Sequence, residues 1–487
     1  MPPCAPDGVA TKRGERMAHL PDAAGAKRDS KLKSITPEEL ARHNKPDDNW
    51  ICIDEKVYDV SKWAASHPGG EHLMINAAGT DASAVFHAFH TTHGSGNRAI
   101  NILKHIPHVA NMEQRPKTNL EKAFQELREK VDTDGLYKTN EVYYLMMALW
   151  LFSLLLGTVY LVLTAETKLG AIGAAFTFGL FLQQCAFVGH DTAHNGITHD
   201  RKTDMMIGII VGPLLTGVST AWWKRSHNAH HVVTNSVTHD PDIQHMPIIA
   251  ISPEFWRKGG VWSLYHKKWF AFDWAAKALI SYQHYLFYPV MAFARWNLYL
   301  QGFALLFNPN IKTEWTNLEL CSLGFFWTWL SLLTSCLPTL QMQLIFLVVS
   351  HMFAGILHVQ ITLSHFSMPV YHGATYDAPM GEEFLRQQCA TSMDVDTRWW
   401  NDWFHGGLQF QVAHHIFPRV PRHNLKKVQS MLQELCREHD IEYKVMGWLA
   451  GNKEVYKTLQ AAAMKARETP TVEFTESEMW KAMCAEG

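Results

Sequence analysis

Four long stretches of this chain lack charged side chains, and they limit what it can fold into more than any other feature. The stretches are residues 142–163, 169–189, 320–340 and 341–363. Each has about 20 residues, the length that a helix needs to cross ~30 Å of hydrocarbon. Because short joints link the first two stretches and the last two, we expect an all-α membrane domain with four transmembrane helices in two hairpins.

Two further apolar stretches complicate this count. Residues 205–223 carry no charge, and residues 284–307 carry only Arg295. If 205–223 crossed the membrane, the histidines before and after it would lie on opposite faces, so we interpret both stretches as interfacial or re-entrant. A fifth and a sixth span are the alternative. Lys and Arg are nearly absent from the hairpin tips, which by the positive-inside rule places the bulk of the chain in the cytosol.

Composition excludes several classes of protein. The net charge is −2 over 487 residues, so nothing favours nucleic-acid binding. The 8 cysteines include no C-x-x-C pair, which argues against a zinc ribbon, a thioredoxin-type site or a disulfide framework. Residues 1–33 contain no apolar core of the kind that a cleaved signal peptide needs, and we expect them to form a disordered tail.

A compact unit at residues 34–108 precedes the apolar stretches and contains His67-Pro68-Gly69-Gly70 and, 23 positions after His67, His90. Two such histidines at turns or helix ends can approach a haem iron from opposite faces, and bis-imidazole ligation suits electron transfer rather than oxygen binding. The unit resembles cytochrome b5, a small α+β domain that binds haem b, and the resemblance implies His67 and His90 as axial ligands. His87 and His93 are competitors that we interpret as surface residues.

Three histidine clusters lie beside the apolar stretches, in a chain with 28 histidines. Helical spacing of i, i+3 and i+4 brings imidazoles to one face or to adjoining faces, where they can bind metal. Seven imidazoles exceed what one ion needs, so the pattern indicates two metal ions, although imidazole alone does not identify the metal. The clusters are His190 and His194; His227, His230 and His231; and His414 and His415, which follow Gln411.

The order of these clusters and their relation to two hairpins resemble the membrane fatty-acyl desaturases over roughly residues 140–450. The fused cytochrome b5 unit and Gln411, which stands where other desaturases have histidine, resemble the front-end subgroup. The resemblance implies two non-haem irons, O2 as co-substrate and one further ligand, which His365 matches. We expect His358, about two turns deeper, to be a packed residue. Gln411 would act directly, through water, or by shaping the pocket.

Only local sequence matches indicate which lipid is the substrate. Runs around the second and third clusters, including 221–231, 239–245, 281–285, 391–395 and 403–410, are similar to sphingolipid Δ8 desaturases. Front-end fatty-acid desaturases of the Δ6, Δ5 or Δ8 type share much of this pattern. We favour a long-chain sphingoid base, with a fatty acyl chain as the alternative. Asp240 and Asp242 would orient ligand histidines as outer carboxylates, or form an ordinary turn. Residues 222–225 would lie at a substrate tunnel mouth or in an interfacial aromatic-basic belt.

These features give one prediction for the whole chain. It has a tail at 1–33, a haem domain at 34–108, a linker at 109–140, a membrane desaturase domain at 141–450 and a C-terminal tail at 451–487. We expect a multi-pass protein of the endoplasmic reticulum, with the plastid envelope as the alternative membrane, and with the haem domain and histidines on the cytosolic side. No G-x-G-x-x-G or flavin-domain pattern is found, so electrons should come from a separate NADH-cytochrome b5 reductase.

Rival functions remain open on the sequence alone. A lipid hydroxylase would use similar chemistry but retain oxygen in its product, and Gln411 speaks mildly against it. A membrane electron carrier would leave the clustered imidazoles unexplained, and a zinc hydrolase has no use for a haem. The sequence leaves a homo-oligomer open.

Overall fold

The N-terminal unit is built on a five-stranded sheet. The computed structural model describes residues 32–91, 97–311 and 313–472; the predicted N-terminal tail to residue 31 and His93 lie outside them, as do residues 473–487 of the C-terminal tail. The strands run in the order β1-β5-β4-β3-β2, with β1 and β5 parallel and the other pairs antiparallel. They are β1 (Ser34–Ile35), β2 (Asn44–Lys45), β3 (Asp48–Ile53), β4 (Lys56–Asp59) and β5 (His108–Met112).

Alternation along β3 gives this sheet two buried faces. Ile51 and Ile53 pack into one apolar cluster, and Cys52 between them packs into another, because successive strand residues point to opposite faces. Four short helices cover the sheet: α1 (Pro37–Leu40), α2 (Glu71–Asn76), α3 (Ser83–Phe89) and α4 (Asn97–Leu103). The predicted small α+β unit is confirmed.

The rest of the described chain consists of helices and connecting loops, with two short strand pairs. Its helices are α5 (Asn119–Thr133), α6 (Glu141–Thr164), α7 (Lys168–Ala193), α8 (Arg201–Ile209), α9 (Thr220–Val232), α10 (Trp274–Ile280), α11 (Gln283–Phe307), α12 (Thr316–Ser335), α13 (Leu340–Ala354), α14 (Ile356–Phe366), α15 (Glu383–Thr391), α16 (Asp402–His405), α17 (Gln411–Ile416), α18 (Leu425–Glu438) and α19 (Trp448–Glu468). The strand pairs are β6 (Gly260–Ser263) with β7 (Lys268–Ala271), antiparallel, and β8 (Asp394–Asp396) with β9 (Val445–Gly447), parallel.

Three helical segments in the described residues are long and apolar enough to cross a membrane. They are Glu141–Thr164, Lys168–Ala193 and Leu340–Phe366, the last comprising α13 and α14. Along α6, Val142, Leu149, Leu156 and Leu163 form an exposed stripe, as expected of a face that meets lipid. Three of the four predicted spans are thus confirmed as candidate spans. The fourth, 320–340, corresponds mainly to α12, whose polar residues keep it outside this group, and its crossing stays a prediction.

Neither of the two additional apolar stretches is a candidate span. Residues 205–223 fall on α8, a π-helical turn at Ile210–Leu214 that contains Pro213, and the start of α9, so no single helix runs through them. Residues 284–307 form most of α11, a continuous helix despite Pro289. The interfacial or re-entrant placement of both stretches stays a prediction.

A short segment between β8 and α17 packs against buried glutamines of the candidate spans. Gln360 of α14 donates a hydrogen bond to the carbonyl oxygen of Phe404 at 2.9 Å, and Gln183 of α7 donates to Gln360 at 2.8 Å. Gln184 donates to the carbonyl of Trp403 at 3.3 Å. Trp403 and Phe404 lie in α16, a single helical turn whose last carbonyl groups have no intrahelical partner and need such donors within an apolar bundle. These contacts fix the segment that leads into α17.

Candidate haem and metal sites

The N-terminal unit holds a pair of facing imidazoles. His67 precedes α2, and its Nδ1 donates a hydrogen bond to the carbonyl oxygen of Gly70 at 3.2 Å, which leaves Nε2 free. Gly70 takes φ = 107°, in the left-handed region that favours glycine. His90 ends α3. The ring centroids of His67 and His90 are 6.3 Å apart, a gap that admits an ion between them because metal–imidazole bonds are about 2 Å long.

Aromatic side chains line this pair. Trp63 lies edge-on to His67 at 5.3 Å between ring centroids, and Phe86 lies 4.9 Å from His90. Burial lowers the pKa of His67 and lowers the pKa of His90 to about 3. Both rings are therefore neutral at pH 7 and keep a lone pair for a metal. The competitor His87 instead pairs with Asp54 at 2.9 Å.

The eight histidines predicted as metal ligands come together in two groups. Within each group the ligand atoms lie within 4.8 Å of one another. The first group is His190, His194, His227, His231 and His414; the second group is His230, His365 and His415. His358 belongs to neither group and lies buried in α14. Two groups of this kind match the number of ions that the sequence pattern predicts.

Helix geometry explains how the pairs of adjacent histidines divide between the groups. Successive residues of a helix point about 100° apart, so His230 and His231 of α9 face different groups. His414 and His415 of α17 divide in the same way. His227 lies four residues before His231 and shares its face. One helix can thus supply both groups, and α9 and α17 each do so.

Several imidazole nitrogens in the first group are buried without a hydrogen-bond partner in the described part of the chain. They are Nε2 of His190, both ring nitrogens of His194, Nδ1 of His231 and Nε2 of His414. Leaving one buried polar group unpaired costs about 1–3 kcal/mol, so several in one place are costly unless a metal uses them. Burial also lowers the pKa of His227 to about 3. These buried, unpaired ring nitrogens fit a metal site.

Carboxylates contact two of the α9 histidines. Nδ1 of His230 donates to Asp240 at 2.9 Å, and Nδ1 of His227 lies 3.5 Å from Asp242. Burial alone would lower the pKa of His230, but Asp240 and Asp242 together raise it. Burial alone would raise the pKa of Asp242, but His230, His227 and Ser226 hold it below its usual range. A histidine that binds metal through one ring nitrogen usually donates its other ring N–H to a carboxylate or similar acceptor. This role for Asp240 and Asp242 stays a prediction.

Gln411 lies at the second group. Its amide nitrogen is 3.1 Å from Nε2 of His365 and 3.0 Å from Nε2 of His415, and its Oε1 is buried without a partner among the described residues. Turning the amide over exchanges its oxygen and nitrogen and brings the oxygen to where these Nε2 atoms converge. Each of the three predicted roles for Gln411 is compatible with this position.

Some residues that the sequence analysis missed accept hydrogen bonds from Nδ1 of histidines in the second group. Gln388 of α15 accepts from Nδ1 of His415 at 2.9 Å and donates to the carbonyl of His231 at 2.9 Å. The carbonyl of Thr391 accepts from Nδ1 of His365 at 3.3 Å. No local pattern marks Gln388, because the contact joins residues far apart in sequence.

Asp191 is a second missed residue, and its place beside His190 in the sequence is the signal that could have identified it. It accepts hydrogen bonds from Tyr144 of α6 at 2.8 Å and from Arg422 at 2.6 Å. It also lies 3.7 Å from Nδ1 of His190. The carboxylate therefore ties the end of α7 to α6 and to the segment after α17.

The aromatic-basic run at 222–225 points toward the site. Trp223 stacks on His227 with 4.1 Å between ring centroids. Lys224 donates to Asn195 at 3.2 Å, and Arg225 lies against Gly70 of the N-terminal unit. A tunnel mouth at these residues stays a prediction.

Two families match this chain. The cytochrome b5-like heme/steroid binding domain matches residues 36–119, and the fatty acid desaturase family matches residues 166–447. Delta(8)-fatty-acid desaturase 2 of Arabidopsis thaliana is 37% identical over 458 residues, covering 94% of this chain and 99% of that protein. Acyl-lipid (9-3)-desaturase of Borago officinalis is 33% identical, covering 93% and 99%. Delta 8-(E)-sphingolipid desaturase of Emericella nidulans is 39% identical, covering 73% and 65%.

Proposed function

This chain belongs to the fatty acid desaturase family, with a cytochrome b5-like domain fused ahead of the desaturase domain, and from that premise we propose that it is a front-end lipid desaturase. The observation that carries the proposal is the gathering of all eight predicted histidines into two groups. Desaturases are oxidoreductases, and removing hydrogen from an unactivated methylene needs a metal–oxygen chemistry that no side chain supplies.

The overall reaction balances with four electrons. Two protons and two electrons leave neighbouring methylenes of the lipid, which gain a double bond. Two further electrons come from the donor and two protons from solvent. One O2 takes all four electrons and is released as two molecules of water. The fused domain accounts for the donor electrons, since a bis-imidazole haem carries one electron at a time.

The residues named above would hold the cofactors. His67 and His90 would ligate haem b, and the two histidine groups would each hold one non-haem iron, which when bound supplies the O2 chemistry. Asp240 and Gln388 would fix the tautomers of His230 and His415, because each accepts a hydrogen bond from Nδ1 and leaves Nε2 for the metal. Gln411 would complete the surroundings of the second group.

A sphingolipid Δ8 desaturase is the finer assignment that we propose. The relatives include enzymes named for Δ8 desaturation and for sphingolipid substrates, and the chain covers most of the plant proteins. Motif runs around the second and third histidine clusters favour the same branch. A front-end fatty-acid desaturase is the alternative, favoured by the similarity to the acyl-lipid desaturase of Borago officinalis.

The cellular setting follows from the distribution of charge. The family is membrane-bound, and three apolar helices are present in the described residues. We propose four spans and a cytosolic position for the haem domain and the histidines, because Lys and Arg avoid the hairpin tips. We propose the endoplasmic reticulum as the membrane because a cytochrome b5-like domain is fused to the chain. An NADH-cytochrome b5 reductase would supply the electrons. The domain limits 34–108 and 141–450 stay proposals from the sequence; β5 of the haem-domain sheet runs on to Met112, and α19 runs on to Glu468.

Expression in a yeast strain that lacks Δ8 desaturation tests the proposal. Total fatty acids and sphingoid bases are analysed by mass spectrometry, with a His414→Ala variant beside the native chain. A product two mass units lighter than its precursor, absent from the variant, supports desaturation, and the lipid pool that contains it identifies the substrate. A product sixteen units heavier would assign a hydroxylase instead.

A further inference from the structure

The cytochrome b5-like domain packs directly on the desaturase domain. Ala88 of α3 is buried in one apolar cluster with Leu385 of α15. Beside it, Thr118 donates a hydrogen bond to Glu382 at 2.6 Å. On the other side of the haem pocket, His72 of α2 lies edge-on to Tyr265 with 5.3 Å between ring centroids. Both helices that flank the histidine pair therefore contact the desaturase domain.

Two consecutive residues at the end of α3 point to the two redox sites. His90 faces His67 in the haem pocket. Phe89 lies edge-on to His231 of the first metal group, with 6.0 Å between ring centroids. The chain leaves helical geometry here, since His90 has φ = −123° and ψ = 63°, and the two side chains consequently diverge. One peptide unit and one ring contact join the haem ligand to a metal ligand.

We propose that Phe89 is the residue through which electrons pass from the haem pocket to the histidine groups. This rests on the proposed function, because it takes haem at His67 and His90 and iron at the two groups. Electron-transfer rates fall exponentially with separation and fall faster across a gap than through packed atoms. The route from His90 to His231 is covalent as far as Phe89 and closely packed beyond it. Phe89 is a positioning residue for electron transfer.

The step balances as a one-electron exchange. An electron leaves ferrous haem, which becomes ferric, and arrives at one ferric ion of the metal centre, which becomes ferrous. Two such transfers supply the two donor electrons of each turnover. An NADH-dependent flavoprotein reductase restores the ferrous haem between them. No proton needs to move along Phe89.

The alternative role for Phe89 is ordinary packing between the two domains. A matched variant distinguishes this packing role from the electron-transfer role. Leu385→Ala also removes buried contact from the same interface, where Leu385 packs with Ala88, but Leu385 makes no ring contact with a metal ligand. Phe89→Ala opens a gap beside His231. Phe89→Tyr keeps the ring and should restore the rate.

Flash reduction of the haem in the full-length, iron-loaded protein measures the transfer without a lipid substrate. The sample is anaerobic, its metal centre is oxidised, and haem reoxidation is followed by absorbance. Phe89→Ala should slow reoxidation at least ~10-fold, because it replaces the packed ring beside His231 with a gap in a route that the protein otherwise holds in position. Phe89→Tyr should stay near the native rate and Leu385→Ala should change it less than Phe89→Ala. The haem spectrum and midpoint potential should be unchanged in all three.

Two results would overturn the inference: reoxidation of Phe89→Ala at the native rate, or equal slowing in Leu385→Ala. A second measurement distinguishes a failure of the inference about Phe89 from a failure of the proposed function. When the metal centre is reduced chemically before O2 and lipid are added, Phe89→Ala should form as much product in one turnover as the native chain. Absence of product from the native chain under these conditions would count against the desaturase assignment itself.

Discussion

Asp240 accepts a hydrogen bond from Nδ1 of His230 at 2.9 Å while both residues are almost fully buried. The same carboxylate also accepts from the backbone N–H groups of Asn235 and Asp242. All of these neighbours are donors, so an amide in place of the carboxylate would set its NH2 group against one of them. The carboxylate thereby fixes both the ring of His230 and the turn that follows α9.

We therefore expect Asp240→Asn to weaken metal binding by roughly 10–100-fold, the usual cost of losing a partner behind a ligand histidine. Iron retained after dialysis against a graded chelator measures this. Asp242→Asn is the matched control, because Asp242 is more exposed and lies 3.5 Å from His227 and 4.0 Å from His230. Equal iron loss in both variants would show that Asp240 has no special part in orienting His230.

Helical spacing is a local property, so the sequence alone predicted which histidines of each cluster share a helix face, whereas His365 came from the family resemblance; that these histidines ligate metal stays a prediction. The i, i+3, i+4 pattern in α9 dictates which imidazoles share a face, and the division of His230 from His231 follows from the same geometry. The α+β character of the haem unit was likewise predictable from its local motifs. Contacts such as that of Asp191 with Arg422, which are 231 positions apart, depend on how helices pack, and no local pattern encodes them.

Helix α12 shows what apolar composition alone could not predict. Glu319 in the first turn of α12 is buried and accepts hydrogen bonds from Ser219 and from the backbone of Ala221. It lies just outside the uncharged stretch at 320–340, so the hydropathy of that stretch alone indicated a span, whereas the observed helix begins earlier and includes it. Partners of this kind come from tertiary structure and are invisible to a count of apolar residues.

Replacing one histidine in the first group and one in the second, in separate variants, should each remove a different metal ion. We expect His194→Ala, in the first group, and His365→Ala, in the second, each to lower bound iron from the two ions that two groups would hold to about one. Desaturation should fall at least ~100-fold in both, since the O2 chemistry requires the complete metal centre. Iron per chain is measured by elemental analysis. His439→Ala, outside both groups, is the control, and loss of both ions from a single variant would indicate one shared site.

Gln360→Leu should loosen the segment that leads into α17. The change removes the 2.9 Å donor to the carbonyl of Phe404 and the acceptor for Gln183, and leaves that carbonyl only the 3.4 Å contact with Nε2 of Gln183. A hydrogen bond of this kind contributes about 0.5–1.5 kcal/mol to stability. We expect a lower midpoint of thermal unfolding in detergent and reduced product in yeast. Gln341→Leu provides the control, since Gln341 is exposed near the start of α13. If the two variants melt alike, the glutamine contacts do not stabilise this segment.

Asp204→Asn should change how stability depends on pH. Burial raises the pKa of Asp204 from 3.8 to about 6, and its Oδ2 has no partner in the described residues. Because the folded-state pKa lies above the unfolded value, this group's contribution to stability is complete below pH ~4 and is lost as pH rises through ~6. Each pKa unit corresponds to ~1.4 kcal/mol, so the loss is at most ~3 kcal/mol.

Asp204→Asn has no such loss, so its thermal midpoint should rise relative to the native chain between pH 4 and pH 7. Asp200→Asn should show no such rise between pH 4 and pH 7; its thermal midpoint should instead fall relative to the native chain as pH rises toward ~4. Asp200 caps α8 and accepts hydrogen bonds from Thr203, and these bonds lower its pKa below 3.8. Its contribution is therefore present above pH ~4 and lost as pH falls through the lowered folded-state pKa. Parallel curves for the native chain and Asp204→Asn over this range would mean that Asp204 does not carry an uncompensated buried charge.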